Sequence, residues 1–583
     1  MPGGLLNIVA YGQQNIILNG NPSKTFFKCV YSKYTNFGLQ KFRIDFEGQR
    51  NMRLNEESKF SFKIPRYADL LMDTYLIIQL PNIWSPIYPP QAIDTSGHLN
   101  SEWVEYGFKW IKNIGTQIIK EIQISIGGQV LSKFSGQYLY NLVERDFSDV
   151  KKDLYYKMTG NITELNDPAR FGQNSIGDGK YPNAYYTGIS TARHILGPEP
   201  SIRGRQLFIP INAWFSLNSK MAFPLVALQY NQLVIDVTLR PVQELFVIRD
   251  IGNISNAEPN TPPYVQPNFN NPLQGFYRFL QPPPDTQLNF DSYTDTRTNW
   301  NADVHLISTY AFLSEIEVKS FALNEQNYLI KDVHEYKFFN VTGNKKVKLD
   351  TLGMISNWTW FFQRNDSYMR NEWSNYSNWP YDYQPYPPND GFNAIETAIN
   401  PLNPPTLIPL SSGNPITPYN NPYASGDTPL VTGFFITDFY NPQNEKNILQ
   451  SLGILLDGKY RENIFSAGVY NYIEKYTRTS GNGPDGLYCY NFCLNTNPFD
   501  FQPNGAINMS KFKTIEFEFS TIQPVLDPNA NFYTICDPVT GTIIGVNKPS
   551  WIIYDYNYDL TIFEERYNIV KFISGNAGLQ FSR

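Results

Sequence analysis

Cys489 and Cys493 stand four residues apart, a spacing that would put two thiolates on one face of a strand and could begin a zinc site. Zinc needs four ligands, and the four histidines, His98, His194, His305 and His334, all lie far from this pair in the sequence. A structural pair of core cysteines is therefore expected, with no metal and no other cofactor. Glu516 and Glu518 offer a second kind of chemistry. In Ile515-Glu516-Phe517-Glu518-Phe519 they alternate, about 7 Å apart along a strand, which brings a glycosidase carboxylate pair to mind. The intervening Ile and Phe mark the opposite face as core, so the two carboxylates read as a wet strand face. No Ser-His-Asp setting and no Gly-rich phosphate loop stands out. No catalytic residue is assigned, and no enzyme is expected.

Two further sets could bind or carry sugar. Trp358, Trp360, Trp373, Tyr376, Trp379, Tyr381 and Tyr383 are dense enough to form a stacking platform on a β-sandwich, as in a carbohydrate-binding module. Against that, Asn357-Trp358-Thr359-Trp360-Phe361-Phe362 reads as a buried strand, and contacts between subunits also use aromatics. Six or more Asn-x-Ser/Thr sequons occur, including Asn161, Asn340, Asn357, Asn365 and Asn375, of which Asn161, Asn365 and Asn375 are the glycan candidates.

The elements that must hold these residues are strands. The chain has 583 residues, with 40 Tyr, 40 Phe, 42 Pro and 38 Gly, and only 17% of it is charged. Short strands joined by Pro- and Gly-rich loops produce that profile, and the length suits two or three domains. A net charge of −6 with no basic stripe disfavours direct nucleic-acid binding. The run Asn344-Lys345-Lys346-Val347-Lys348 reads as a solvated hairpin edge. Four cysteines point to a reducing compartment. The opening MPGGLLNIVAYG makes a poor signal peptide, and no apolar run nears the ~20 residues that span a bilayer. Synthesis and assembly in the cytoplasm follow as the expectation.

The chain also repeats itself. Residues 118–145 align without a gap on residues 448–475, pairing Ile122 with Leu452, Gly128 with Gly458, Tyr140-Asn141 with Tyr470-Asn471, and Glu144-Arg145 with Glu474-Lys475. Each copy alternates as a strand and then turns tightly at Gly127-Gly128 or Asp457-Gly458, so an internal duplication is inferred. Each half has room for about eight strands, the number a jelly roll uses. A helix over Ala322–Ile330, with Asn324 as its N-cap, is expected to join them. The stretch Phe26–Lys33 reads as a strand with both faces apolar at its start. Tyr567–Ile573 reads as a closing strand, its burial falling on Ile569 and Ile573. Long loops are expected near 150–205, 250–300 and 380–430, with 384–428 as outer decoration.

These pieces resemble the major capsid proteins of the nucleocytoplasmic large DNA viruses. The resemblance rests on Gly3-Gly4-Leu5-Leu6, Gly20-Asn21-Pro22, Thr25-Phe26-Phe27-Lys28, Tyr34-Thr35-Asn36-Phe37, Pro224–Tyr230, Asn504–Ser510 and Tyr567–Val570, which follow the family's order along nearly the whole chain. Tyr34 and Asn231 depart from it, since the family often has His there. The resemblance implies an all-β double jelly roll: an N-terminal arm over 1–24, a first eight-stranded antiparallel roll over 25–322 and a second over 323–583. It implies a homotrimeric, pseudo-hexagonal capsomer in an icosahedral shell, with neighbouring capsomers, minor capsid and penton proteins and inner membrane proteins as partners. The same fold would also serve a scaffold lattice on a viral membrane. Apolar outer strand faces would then be covered by the other roll, the arm or the next subunit.

Overall fold

In the computed structural model, the described residues are 2–46, 48, 51–88, 104–168, 200–250, 264–283, 293, 295–298, 300–383, 442–500, 502–527, 530, 533–547 and 553–581. The 384–428 segment lies outside them.

The first half forms β1 Gly38–Ile44, β2 Ser58–Lys63, β3 Leu70–Gln79, β4 Ile119–Ile126, β5 Gln129–Ser135, β6 Gln206–Pro210, β7 Phe223–Pro224, β8 Leu233–Leu239 and β9 His305–Phe312. One sheet runs β1-β9-β3-β7, with β6 also on β3, and the facing sheet runs β2-β8-β4-β5. The second half repeats the plan. It forms β10 Gln326–Phe338, β11 Asn344–Lys348, β12 Met354–Arg364, β13 Leu449–Leu456, β14 Lys459–Ser466, β15 Leu487–Asn491, β16 Ile507–Asn508, β17 Ile515–Thr521, the hairpin β18 Tyr533–Cys536 and β19 Ile543–Asn547, then β20 Tyr558–Ile573 and β21 Asn576–Leu579. Its sheets run β10-β20-β12-β15, with β16 on β12 and β21 on β20, and β11-β17-β13-β14. Strand for strand the two orders correspond, and the pairings are antiparallel. Each half is a jelly roll of eight longer strands and one two-residue strand on this common plan.

Alternation builds the cores. In β8, Leu233, Ile235, Val237 and Leu239 are buried between half-exposed neighbours; in β17, Ile515, Phe517 and Phe519 do the same. The lysine-rich β11 is the edge of its sheet, as its charge pattern suggests. The duplicated hairpins turn at Gly127-Gly128 and Asp457-Gly458, all four at positive φ; at the three glycines the missing Cβ removes the strain, and Asp is among the residues that tolerate this region.

Three expectations are corrected. Phe26–Lys33 is not a strand: β1 begins only at Gly38, where β9 supplies a ladder partner, and Phe26, Phe27, Val30 and Tyr31 are exposed. The two helices before it, α1 Gly3–Val9 and α2 Gln13–Asn19, bury no residue. The joining helix is real but earlier. Of the helices used below, α3 spans Gly136–Asp146, α4 spans Asp149–Thr159, and the joining helix α5 spans Glu315–Leu323 behind Ser314. Asn324 is already extended, and β10 follows because all thirteen of its residues pair with β20. That pairing overrides a weak local helix preference. In the closing strand the buried residues are Asn568, Val570 and Phe572; Ile569 is half-buried and Ile573 exposed, because the opposite set faces Tyr328 and the first roll.

Candidate assembly interface

The seam between the rolls starts from α3, which follows the first copy of the repeated hairpin. Ser135 caps it by accepting from the Tyr138 amide, and all eleven of its residues are buried. Its inner end faces the second roll rather than solvent. Arg145 donates through Nη1 to Asn357 Oδ1 at 3.1 Å and Thr359 Oγ1 at 2.9 Å, and through Nη2 to Glu565 Oε1 at 2.7 Å. It also donates to Asp146 Oδ2 from Nε and Nη2, at 2.9 and 2.7 Å. Glu565 accepts in addition from the Tyr138 hydroxyl at 3.1 Å and from Asn357 Nδ2 at 2.8 Å. Burial opposes a charge on Glu565, but Arg145, Lys331 and the Asn357 amide outweigh it and hold the carboxyl below its usual range. A planar fork with five donors is what such a buried, multidentate site requires.

Apolar packing runs through the same seam. One continuous cluster holds the first roll's core together with Tyr328, Ile330, Val333, Phe361, Phe563 and Phe572 of the second. The Tyr138 and Phe563 rings lie 5.6 Å apart. Gly481 sits where a Cβ would be 2.6 Å from the Glu144 carbonyl, and its amide donates to the Arg145 carbonyl at 2.8 Å.

The residues singled out for chemistry lie apart, some in the core and some on an outer strand face. Cys489 is fully buried on β15 opposite Thr359, and burial pushes its thiol up to about 11. Cys493 does not share its strand face: β15 ends at Asn491 and Cys493 is buried in the bend beyond. Among the described residues, no group of three or more His, Cys, Asp or Glu is placed to hold a metal. Glu516 and Glu518 lie on the outer face of β17, Glu518 accepting from the Tyr460 hydroxyl at 2.9 Å and standing 3.5 Å from Lys346. Trp358 and Trp360 are buried in the second core. Three of the remaining aromatics, Trp373, Tyr376 and Tyr381, reach across to the first roll, whereas Trp379 Nε1 donates to the Asn444 carbonyl within the second. Trp373 Nε1 donates to the Glu244 carbonyl under the Arg240 guanidinium, Tyr376 stacks on Phe361, and Tyr381 donates to the Tyr264 carbonyl. Of this set only Tyr383 is exposed.

Among the sequons, Asn357 and Asn375 are buried, and the Asn375 amide donates to the Trp379 carbonyl. Asn161 and Asn365 are half-buried acceptors of backbone amides, and Asn340 is exposed. Sequence reasoning did not find the Arg145 cluster as a site. The signal was present as the shared acid-base ending of the two copies, Glu144-Arg145 and Glu474-Lys475.

Comparison with known proteins decides the family. Residues 25–266 match the model for the major capsid protein N-terminus, and residues 317–578 match the model for the large eukaryotic DNA virus major capsid protein. The chain belongs to this capsid family. The major capsid protein of Phaeocystis pouchetii virus is 24% identical over 100% of both chains, and that of Chrysochromulina ericina virus is 31% identical over 44% of each. The solved structure of VP54 from PBCV-1 covers 96% of this chain and 100% of its own, at 17% identity and a TM-score of 0.56. That of the Faustovirus major capsid protein covers 98% of each, at 13% identity and a TM-score of 0.55. These likenesses fix the fold as the double jelly roll. As a member of the family the chain is a structural protein of the virion, built into a shell beside other capsomers.

Proposed function

We propose that this capsid protein works as a homotrimer whose six rolls approximate a hexagon and tile an icosahedral shell, without catalysing any reaction. The observation that carries this reading is the seam: two rolls on one plan are already locked side by side by a buried charge cluster and a shared core. Three such pairs arranged around an axis give six similar blocks. Exposed apolar residues on the arm, on α5 and on the β18–β19 hairpin leave further surface for neighbours. Minor capsid and penton proteins, and the proteins of an underlying membrane, are the partners this surface fits. Assembly in the host cytoplasm accords with four unpaired cysteines. Light scattering of the purified protein tests the reading. A species near three times 67.1 kDa is expected, and a stable folded monomer at micromolar concentration would overturn it.

A further inference from the structure

A second polar contact crosses between the rolls beside Arg145, and it sets a primary amine against a carboxamide. Lys152, near the start of α4, is 4% exposed, and its Nζ donates to Asn482 Oδ1 of the second roll at 2.6 Å. Glu144, near the end of α3 and 7% exposed, holds Oε2 3.5 Å from the same nitrogen, while its Oε1 accepts from the Tyr156 hydroxyl. Asp149 stands on the exposed side, 3.9 Å from Nζ. The α3–α4 segment also carries a small apolar cluster, Val143, Phe147 and Tyr155, with Phe499 of the second roll packed against it. The loop bearing Asn482 is fixed on both sides of that residue. The Gly481 amide donates to the Arg145 carbonyl at 2.8 Å and the Gly483 amide to the Glu144 carbonyl at 2.9 Å. A Cβ at Gly481 would stand 2.6 to 2.8 Å from the carbonyl oxygens of Glu144, Arg145 and Phe147, so only glycine lets the loop lie this close. With a C=O bond of about 1.23 Å, the Asn482 amide carbon is held within about 3.8 Å of Nζ. A small turn of the amide reaches the about 3–3.5 Å of a near-attack pair.

We propose that this contact matures into an amide bond between Lys152 Nζ and Asn482 Cγ, a covalent staple between the two rolls, with Glu144 carrying the protons. The Glu144 carboxylate takes a proton from the Lys152 ammonium, and the neutral nitrogen attacks Cγ of Asn482. The Nζ–Cγ bond forms and the Cγ–Nδ2 bond breaks. In the course of the step Nζ gives up two protons. Glu144 relays both to Nδ2, which keeps the electron pair of the broken bond and departs as ammonium. Nothing is oxidised or reduced, and Glu144 ends as the carboxylate it began. Asn482 is exposed, so the ammonium leaves directly into solvent. A rival attack on the same carbon would come from the Gly483 amide nitrogen, closing a five-membered imide. That nitrogen is already engaged with the Glu144 carbonyl, whereas Nζ lies against the carboxamide. The staple forms once per chain and turns over no substrate, so it goes beyond the shell reading without making the protein an enzyme. It does not depend on the trimer.

Mass spectrometry of the purified, folded full chain tests it. The wild type should be lighter than its sequence by one ammonia, and its tryptic digest should contain a branched peptide joining the segments that hold Lys152 and Asn482. Lys152→Arg keeps the charge but lacks the primary amine, and Glu144→Gln lacks the proton carrier. Each should show its full sequence mass and no branched peptide, with circular dichroism as the check on folding. A folded wild type of full sequence mass would overturn the proposal. So would an ammonia loss with Asn482 in an unbranched peptide, which would assign the chemistry to Gly483. A branched peptide that persists in Glu144→Gln would overturn the role given to Glu144. If a variant fails to fold, the wild-type digest still decides whether the bond exists.

Discussion

Arg145 is the residue on which the seam is most exposed to a single change. Its charge is matched by Glu565 and Asp146, all three buried, so Arg145→Ala would leave two carboxylates facing each other without a cation. Breaking a buried pair in this way costs about 3–5 kcal/mol, and a drop of that size in urea-unfolding stability at pH 7 is expected. Acid makes a sharper test. Glu565 is held below its usual range, so its contribution is present above the unfolded value, about 4.3, and is lost as pH falls through the folded one. Arg145→Ala removes one cause of that depression. The stability gap between wild type and variant should therefore be widest near neutrality and narrow below about pH 4; a gap that grows in acid would contradict the assignment. Little of this was legible in the sequence beforehand. Glu144-Arg145 stood out only as the acid-base ending shared by the two copies, and only Glu565, far along the chain, makes it a site.

At the scale of elements, legibility followed the pairing partner. Strands whose own alternation defined a buried face, such as β8 and β17, could be read directly. The aromatic run at Phe26–Lys33 had the residues of a strand but no neighbour to complete a ladder, and sequence cannot supply that neighbour. The reverse held at β10, where a helix-like stretch became a long strand because β20 lies beside it along its whole length. β20 itself is central, lying between β10 and β12, and is buried on both faces through most of its length. Ending the chain after Glu565 would remove Val570 and Phe572, each worth about 1.5–3 kcal/mol of burial, along with the partners of Gln326–Asp332. Soluble trimer should be absent from such a truncation in size-exclusion chromatography. Recovery of normal trimer would show that the end of β20 is dispensable.

For the whole molecule, the continuous core means that the two rolls are not independent domains in the thermodynamic sense. Baring Tyr328, Ile330, Val333 and Phe563 by opening the seam would expose apolar surface on both sides at once. Scanning calorimetry of the intact protein should show one cooperative transition for both rolls, and two well-separated transitions would contradict a shared core. The double architecture was visible in the sequence because the duplication preserved hairpin, turn and helix ending together over 28 aligned positions. What covers each roll was not visible. The two copies differ there in side chains that face outward, and periodicity treats those alike.

Joining two like blocks in one chain also changes how assembly responds to concentration. A ring of six separate blocks would form with the sixth power of their concentration. On the homotrimer reading, a ring of three double blocks forms with the third power, because half of the contacts are made within the chain during folding. Those tethered contacts act at an effective local concentration on the order of millimolar. A tethered contact needs little intrinsic affinity, which leaves the Arg145 seam free to be polar and selective for register. The contact between chains has no such advantage and must rely on buried apolar area. The polar, multidentate contact of Arg145 with Glu565 is the kind of contact that tethering permits.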